Sequence, residues 1–399
     1  MTDKDQERYW ELHTKGELSD REFAQYEVLK EMMDNIPVIE QFRANQKAPY
    51  HEKVNRAYNL AWEYYRQADG HCYVGVGGLD SIVLYVFLRS IGIDVPAVSV
   101  SSLEDKSIQR VHRALGVEVL KPLRSKVEVI REFGWPVLSK EIAGKISLLQ
   151  NPSEKNATVR HAIITGETGK QGGYRSGTRM KMSQKWLEKF GGYENENESV
   201  NYEKPDFLVS DKCCYYLKEK PCDDYAKKTG RWAYLGLMAS EGGRRQKALM
   251  LHGCNYVSPG TKRSCPFATF MREDILRLAL EMDEWYRNHL DLFPGEPVES
   301  IIPEIYGKIE VGLDGKLHTT KAQRTGCSMC GFGIHMEQRP HRFDLLWERN
   351  PKEWEMWMTH VVQREDGSWY GWGHVLDYIG VEWRHPELVT GFEQLSLFS

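Results

Sequence analysis

Val74-Gly75-Val76-Gly77-Gly78-Leu79-Asp80-Ser81 is the stretch that decides the fold: a β-branched run breaks into a Gly-Gly turn and passes into the apolar segment Ile82 to Leu88. That order describes a strand, a phosphate-binding loop and a helix. Two glycines let backbone N–H groups approach an anion that a Cβ would hold off, and the helix that follows points its positive end at the same place. Gly77, Gly78, Leu79, Asp80 and Ser81 are the residues expected to seat a nucleotide or phosphate. A Gly-Gly turn is also an ordinary strand-to-helix joint, so the surrounding pattern has to carry the reading.

Two better-known phosphate motifs are excluded. Gly75-x-Gly77-x-x-Asp80 begins like a dinucleotide fingerprint but puts Asp80 where a third glycine allows close helix packing, which disfavours nicotinamide chemistry. Gly166-Glu167-Thr168-Gly169-Lys170-Gln171 imitates a Walker A loop. It has Ile164 at the first glycine position and Gln171 in place of the Ser/Thr that holds magnesium.

Working outward, residues 1–68 read as charged, amphipathic helices, one opening with a capping box at Ser19-Asp20-Arg21-Glu22. From His71 the pattern predicts strand 72–76, helix 80–90, strand 95–101, helix 106–115, strand 117–121, and helices near 125–133 and 139–149. Strands separated by helix-length segments imply an α/β chain with a parallel sheet and right-handed crossovers. Ligands of such sheets sit at the carboxyl ends of the strands, where Gly77-Gly78 and the polar run Ser99-Val100-Ser101-Ser102 fall, so Ser101 joins the candidate binding residues.

Residues 151–204 are polar and glycine-rich and read as an insertion with the character of a lid. Strand-like runs return at 207–210 and 232–237, and a helix is expected over 272–289. After Gly326 the chain turns helical and tryptophan-rich, and Trp347, Trp354, Trp357, Trp369, Trp372 and Trp383 read as packing for a C-terminal cap, because no basic residues interleave with them as in a base-stacking platform.

The 399 residues allow a large core and more than one packed unit. With 28% charged residues and a net charge of -4, no bulk basic field advertises nucleic acid, although a local basic groove is compatible with these figures. The longest strongly apolar run is too short to cross a bilayer, and the start Met1-Thr2-Asp3-Lys4-Asp5 does not resemble a secretory signal, so a cytoplasmic location without membrane contact is expected.

Eight cysteines in such a setting are not a disulfide framework. Cys72 falls in a predicted central strand and reads as core. Cys213 and Cys214 are adjacent, and Cys327-Ser328-Met329-Cys330 is a C-x-x-C that lets two thiolates converge on one metal centre. Adjacent cysteines point their side chains apart, which suits a [4Fe–4S] cube better than a single tetrahedral zinc. Zinc and a redox-active C-x-x-C remain as alternatives. Cys222, Cys254 and Cys265 are open between core and ligand roles.

Together these segments resemble the phosphoadenosine phosphosulfate reductase family of the PP-loop nucleotide-binding superfamily. The family loop Ser-Gly-Gly-x-Asp-Ser is similar to Val76-Gly77-Gly78-Leu79-Asp80-Ser81, and Cys-Cys-x-x-x-Lys-x-x-Pro to Cys213-Cys214-Tyr215-Tyr216-Leu217-Lys218-Glu219-Lys220-Pro221. Gly-x-x-x-x-Glu-x-x-Arg resembles Gly236 to Arg244, with Arg245 adjoining. A phage and bacterial subgroup looks similar through Trp135 to Glu141, His252 to Asn255 and Arg324 to Cys327, so the likeness runs over about residues 50–380.

The resemblance implies a five-or-so-stranded parallel PP-loop sheet, of the adenine nucleotide alpha hydrolase type, over 69–300. Helices would precede it over 1–68, and a cluster-binding helical region would follow over 301–390. It implies ATP or an adenylyl sulfate-type nucleotide at the loop, with magnesium oriented by Asp80, and a [4Fe–4S] cluster on Cys213, Cys214, Cys327 and Cys330. Arg244 and Arg245 would clamp an oxyanion. Val76 replaces the first loop serine, and the C-terminal Cys-Gly-Leu-His nucleophile of assimilatory enzymes is missing. The function expected is therefore sulfur transfer or a related adenylation-dependent modification, as in the iron–sulfur component of DNA phosphorothioation systems. A sulfonucleotide reductase using an external thiol and a non-catalytic cluster-bearing binding module are the competing readings.

The chain ends Glu393-Gln394-Leu395-Ser396-Leu397-Phe398-Ser399, and Gln-Leu-Ser-Leu-Phe resembles the peptide by which bacterial replication proteins dock on the sliding clamp. Gln394 would sit at the mouth of the clamp pocket with Leu397 and Phe398 on its floor, which points to a nucleic-acid substrate. The sequence leaves the oligomeric state open.

Overall fold

Strand β1 (Cys72–Gly75) lies between β2 (Ala97–Ser99) and β4 (Trp232–Leu235), all parallel, and β3 (Glu118–Val119) extends the sheet beyond β2. On the other side β6 (Lys262–Ser264) runs parallel to β4 and β5 (Asn255–Val257) closes the edge antiparallel, giving the order β3-β2-β1-β4-β6-β5. The computed structural model describes residues 3–100, 103–167, 180–193, 202–327 and 329–385. The side chains of Asp20, Arg21, Ala24, Gly243 and Arg244 lie outside that description.

The chain divides into two compact units that do not follow chain order: residues 1–122 with 218–328, and residues 123–217 with 329–399. The first unit holds the six-stranded sheet and helices α1 (Asp3–Thr14), α2 (Asp20–Lys47), α3 (Tyr50–Gln67), α4 (Leu79–Ser90), α5 (Lys106–Ala114), α6 (Lys220–Thr229), α7 (Gly243–His252) and α8 (Arg272–Arg287). The capping box at the start of α2 is present: Glu22 N donates to Ser19 Oγ and Ser19 N donates to the Glu22 carboxylate.

Each strand of this sheet presents alternate residues to opposite faces. On one face Cys72, Val74, Val76, Ala97 and Tyr234 join the main core with Ile82 and Leu84 of α4 and Leu276 and Ala279 of α8. Val76 is 5% exposed, so the position of the resembling family's serine is an apolar core position here. On the other face the register sets Gly75 beside Leu235 and Val98, and Ala233 beside Tyr73 and Arg263. Gly75 and Ala233 are small, and Gly75, Ala233 and Leu235 are only partly buried, so this face is open along those three residues, although Tyr73 and Val98 beside them are buried.

The second unit is built by short helices, among them Lys140–Gln150, Gln184–Phe190, Pro351–Thr359 and Trp372–Ile379. Two small strand pairs join Val137–Leu138 to Gly331–Phe332 and Val362–Gln363 to Trp369–Tyr370. Trp354, Trp357 and Trp372 are buried in its core, where Trp372 meets Trp135 at 4.7 Å between ring centroids. Trp347 and Trp383 pack against that core, whereas Trp369 is 41% exposed. The strand expected over 207–210 reduces to a single bridge between Val209 and Trp135.

Of the 151–204 segment, 168–179 and 194–201 lie outside the described residues. The Walker A look-alike resolves at its start into a helix end: Gly166 caps Ala157–Thr165 with a φ of 86°, a left-handed position that suits glycine. No helix among the described residues is long and apolar enough to cross a membrane.

Candidate functional site

The candidate site lies at the carboxyl end of β1, entirely within the first unit. Gly78 is the N-cap of α4, with Leu79 and Asp80 in the helix's first turn. A Cβ on Gly78 would stand 2.6 Å from the Tyr306 hydroxyl and 2.9 Å from Thr325 Oγ1, so only glycine fits between the helix start and the 306–325 segment. Gly236, just past β4, brings its backbone against the start of α4: a Cβ there would lie 2.9 Å from Ser81 Cα and N. Two strands thus use glycine to let one helix end approach.

Side-chain hydroxyls hold the loop. Gly77 N donates to Ser81 Oγ at 2.7 Å, and Ser81 Oγ donates to Gly78 O at 2.9 Å, so both hydrogen-bonding roles of that hydroxyl shape the turn. Leu79 N donates to the Tyr306 hydroxyl at 3.0 Å, which is paired with Thr325 Oγ1 at 2.6 Å. From α5, His112 Nε2 lies 2.8 Å from Gly77 O and donates to it. Burial pushes the His112 imidazole below its usual pKa of 6.5, against the Gly77 bond and Glu104, which raise it. It sits there as a neutral donor.

Charge is arranged around the loop in two pairs. Asp80 Oδ1 accepts from Arg272 Nη1 of α8 at 2.8 Å, and Arg272 Nη2 donates to Gln323 O at 2.9 Å. Burial pushes the Asp80 carboxyl up, with Arg272 and Arg324 opposing and Glu241 adding to the rise. Glu104, nearly buried, lies 3.6 Å from where a Cβ of Gly77 would stand and accepts from Lys218 Nζ at 2.7 Å. Burial works against the Lys218 charge, but Cys327 and Glu104 outweigh it and Lys218 stays an ammonium. Lys218 also hydrogen-bonds Cys327, which brings one thiol of the C-x-x-C to the loop's surroundings.

Other expected site residues fall elsewhere. Arg245, on α7, makes an exposed ion pair with Glu241 at 2.7 Å. Arg244 is on the same helix, its side chain outside the description, and Ser101 and the 394–398 peptide lie outside the described residues. Cys213 and Cys214 form a short helical turn of the second unit, which also contains Cys330, while Cys327 belongs to the first. Among the described residues no group of three or more His, Cys, Asp or Glu side chains is placed to hold a metal ion. Burial raises the thiols of Cys72 and Cys265 to about 12 and of Cys222 to about 11, and raises Cys254 as well, so these four are protonated.

The open sheet face forms one wall of a cleft of about 780 Å³, roofed by α6 and reaching from Gly75-Val76-Gly77 and Val98-Ser99-Val100 to Arg231, Lys262 and Arg263. The loop stands at one end of it.

Sequence reasoning missed His112, Tyr306 and Arg272 as site residues, and quoted Lys218 and Arg324 only as part of a resemblance. Arg272 carried one local signal: a cation in the first turn of a helix opposes the macrodipole, which marks it as held by something else. Comparison of this chain with protein-family models, with curated proteins and with solved structures gives no match.

Proposed function

We propose that the chain is a PP-loop enzyme of the phosphoadenosine phosphosulfate reductase type that binds ATP or an adenylyl nucleotide at Gly77 to Ser81. It would act in sulfur transfer or a related adenylation-dependent modification of nucleic acid. The observation that carries the reading is the start of α4: a helix N-terminus and a Gly-Gly turn at the carboxyl end of a central parallel strand, with Gly77 lining the end of a cleft of about 780 Å³.

In this reading the backbone N–H groups of Gly77, Gly78 and Leu79 hold phosphate oxygens. The Ser81 and Tyr306 hydroxyls accept from the Gly77 and Leu79 N–H groups, keeping these donors aimed. Lys218 neutralises Glu104, which would otherwise repel an anion at Gly77, and His112 fixes the Gly77 carbonyl away from the phosphate. Arg272 and Asp80 neutralise one another, and a bound magnesium ion would compete with Arg272 for that carboxylate.

A [4Fe–4S] cluster on Cys213, Cys214, Cys327 and Cys330 is part of the proposal. What supports it is donor chemistry: burial raises the remaining four thiols, of which Cys72, Cys254 and Cys265 are fully buried, and Cys327 has the Lys218 ammonium beside it, which suits a thiolate ligand. When bound, such a centre supplies an anchored, thiolate-rich site for a sulfur species.

Two assays test the reading on anaerobically purified full-length protein. The protein should be brown and absorb near about 400 nm, as expected of thiolate-bound iron–sulfur centres. It should also release pyrophosphate from ATP faster than sulfite from adenylyl sulfate. A colourless, zinc-loaded protein overturns the cluster, and sulfite release without pyrophosphate release overturns the adenylation chemistry.

A further inference from the structure

Residues 323–327 lie against the nucleotide loop as a strap, and alternate residues of the strap are tied to it. Arg272 Nη2 donates to Gln323 O at 2.9 Å, while Nη1 of the same guanidinium donates to Asp80 Oδ1 at 2.8 Å. The Tyr306 hydroxyl pairs with Thr325 Oγ1 at 2.6 Å and accepts from Leu79 N at 3.0 Å. Lys218 hydrogen-bonds Cys327 and donates at 2.7 Å to Glu104, the carboxylate beside Gly77. Each bridging side chain thus holds the loop's surroundings at one end and the strap at the other, and all of these residues belong to the first unit.

Two hydroxyls cap the loop's N–H groups, and they are not equivalent. Ser81 Oγ accepts from Gly77 N on a side chain that a single χ1 rotation swings away. Tyr306 has no such freedom: it is 3% exposed with its ring in the main core, so its hydroxyl moves only with the ring and the backbone that carries it. That backbone also carries the strap, because Lys321 N donates to Tyr306 O and Ala322 N to Ile305 O, both at 3.1 Å. Displacing the hydroxyl therefore pulls on the strap twice, through Thr325 and through residues 321–322.

A phosphate oxygen held at the start of α4 accepts from Leu79 N at about 2.9 Å, the place that the Tyr306 hydroxyl fills. The hydroxyls also occupy the space before Gly78, where a Cβ would stand 2.6 Å from the Tyr306 hydroxyl and 2.9 Å from Thr325 Oγ1. Anion and hydroxyl exclude one another. A site that is open for only part of the time binds with an affinity reduced by that fraction, so the cap lowers nucleotide affinity and its release is felt on the strap.

We propose that the strap 323–327 is an autoinhibitory latch on the loop: the Tyr306 hydroxyl and a nucleotide phosphate compete for the Leu79 N–H, and a bound nucleotide loosens the strap. The inference rests on the loop reading, of which it names the regulation. It makes the setting of Cys327, on the same strap, responsive to the nucleotide.

Calorimetry of ATP into full-length wild type, Tyr306→Phe and Thr325→Val reads the competition. Both variants should bind ATP at least about threefold more tightly than the wild type, because hydrogen bonds that hold the closed form are gone. Thr325→Val keeps the shape of a partly buried side chain, so it reports even where Tyr306→Phe perturbs the core. Tryptic cleavage after Arg324, an exposed residue, reads the strap itself. Saturating ATP should speed that cut at least about threefold in the wild type and less than about twofold in Tyr306→Phe, whose strap is already loose.

Equal or weaker ATP binding by both variants overturns the proposal, since a hydroxyl that only shapes the loop gives no gain when removed. So does a cut that ATP slows in the wild type, which would make the strap a cover that closes on the nucleotide. Failure of the loop reading has a different signature: ATP binding that survives Gly78→Val, whose side chain stands in the anion's own place, and the inference falls with it.

Discussion

The two faces of one sheet differ more than any two segments of the sequence would suggest. Cys72, Val74, Val76 and Tyr234 belong to a continuous apolar core, while Gly75, Ala233 and Leu235, one residue out of phase on the same strands, face a cleft of about 780 Å³. The lesson is about size rather than polarity. Alternation decides which residues share a face, but the cleft exists because two of the central residues on that face are glycine and alanine, and its charge comes from the strand ends and from α6.

Substitutions on the two faces should separate stability from binding. Leu84→Ala removes a fully buried side chain from the sealed core and should cost about 2–5 kcal/mol in urea unfolding. Ala233→Leu adds comparable bulk to the open face, should move the unfolding midpoint by less than about 1 kcal/mol, and should weaken ligand binding by filling the cleft. Equal destabilisation by both changes would break the distinction between the faces.

The next largest effect is electrostatic. Lys218→Met leaves the buried Glu104 carboxylate beside Gly77 without its ammonium, which should cost about 1–3 kcal/mol of stability. Nucleotide affinity should also fall about tenfold, or about 1.4 kcal/mol. Adding Glu104→Gln removes the uncompensated charge and should restore most of both losses. Calorimetry on the single and double variants checks it, and a double variant no better than the single one would mean that Lys218 acts through something other than Glu104.

The smallest effect is a pH dependence. The groups around the buried His112 imidazole are the Gly77 carbonyl, Glu104 and Lys218, and burial keeps it neutral by lowering its pKa below 6.5. The unfolded chain takes up a proton near about 6.5 that the folded chain refuses, so stability falls as pH drops below that value and is fully present above it. His112→Gln keeps a donor for Gly77 O but cannot titrate, so its unfolding midpoint should fall less than that of wild type between about pH 6.5 and 5. Parallel curves for the two proteins would remove His112 from the account.

Much of the first unit was legible because its signals are local. The hydrophobic period placed β1, α4, α5 and α8 within a residue or two of where they lie, and the Gly-Gly turn marked the α4 N-cap. The loop's partners were not legible, because Tyr306 lies 227 residues from Leu79 and Arg272 lies 192 from Asp80, and nothing in either neighbourhood advertises the meeting. The 207–210 run was misread as a strand because its apolar character reflects burial of Phe207 and Val209 in the second unit's core rather than a ladder. Arg263 escaped notice because a Lys-Arg pair in an edge hairpin looks like a solvated charge, and only its register with Ala233 puts it on the open face.

The central claim is that the start of α4 seats a nucleotide's phosphates. Its most direct test is calorimetric titration of ATP into the wild type and Gly78→Val, with the unfolding transition of each recorded alongside. A Cβ there meets Tyr306 and Thr325 closer than atoms approach, so a valine displaces the helix start from its hydroxyl partners. The account predicts a saturable ATP isotherm for the wild type and none for a Gly78→Val protein that still unfolds cooperatively. ATP binding of equal affinity by both proteins would contradict it.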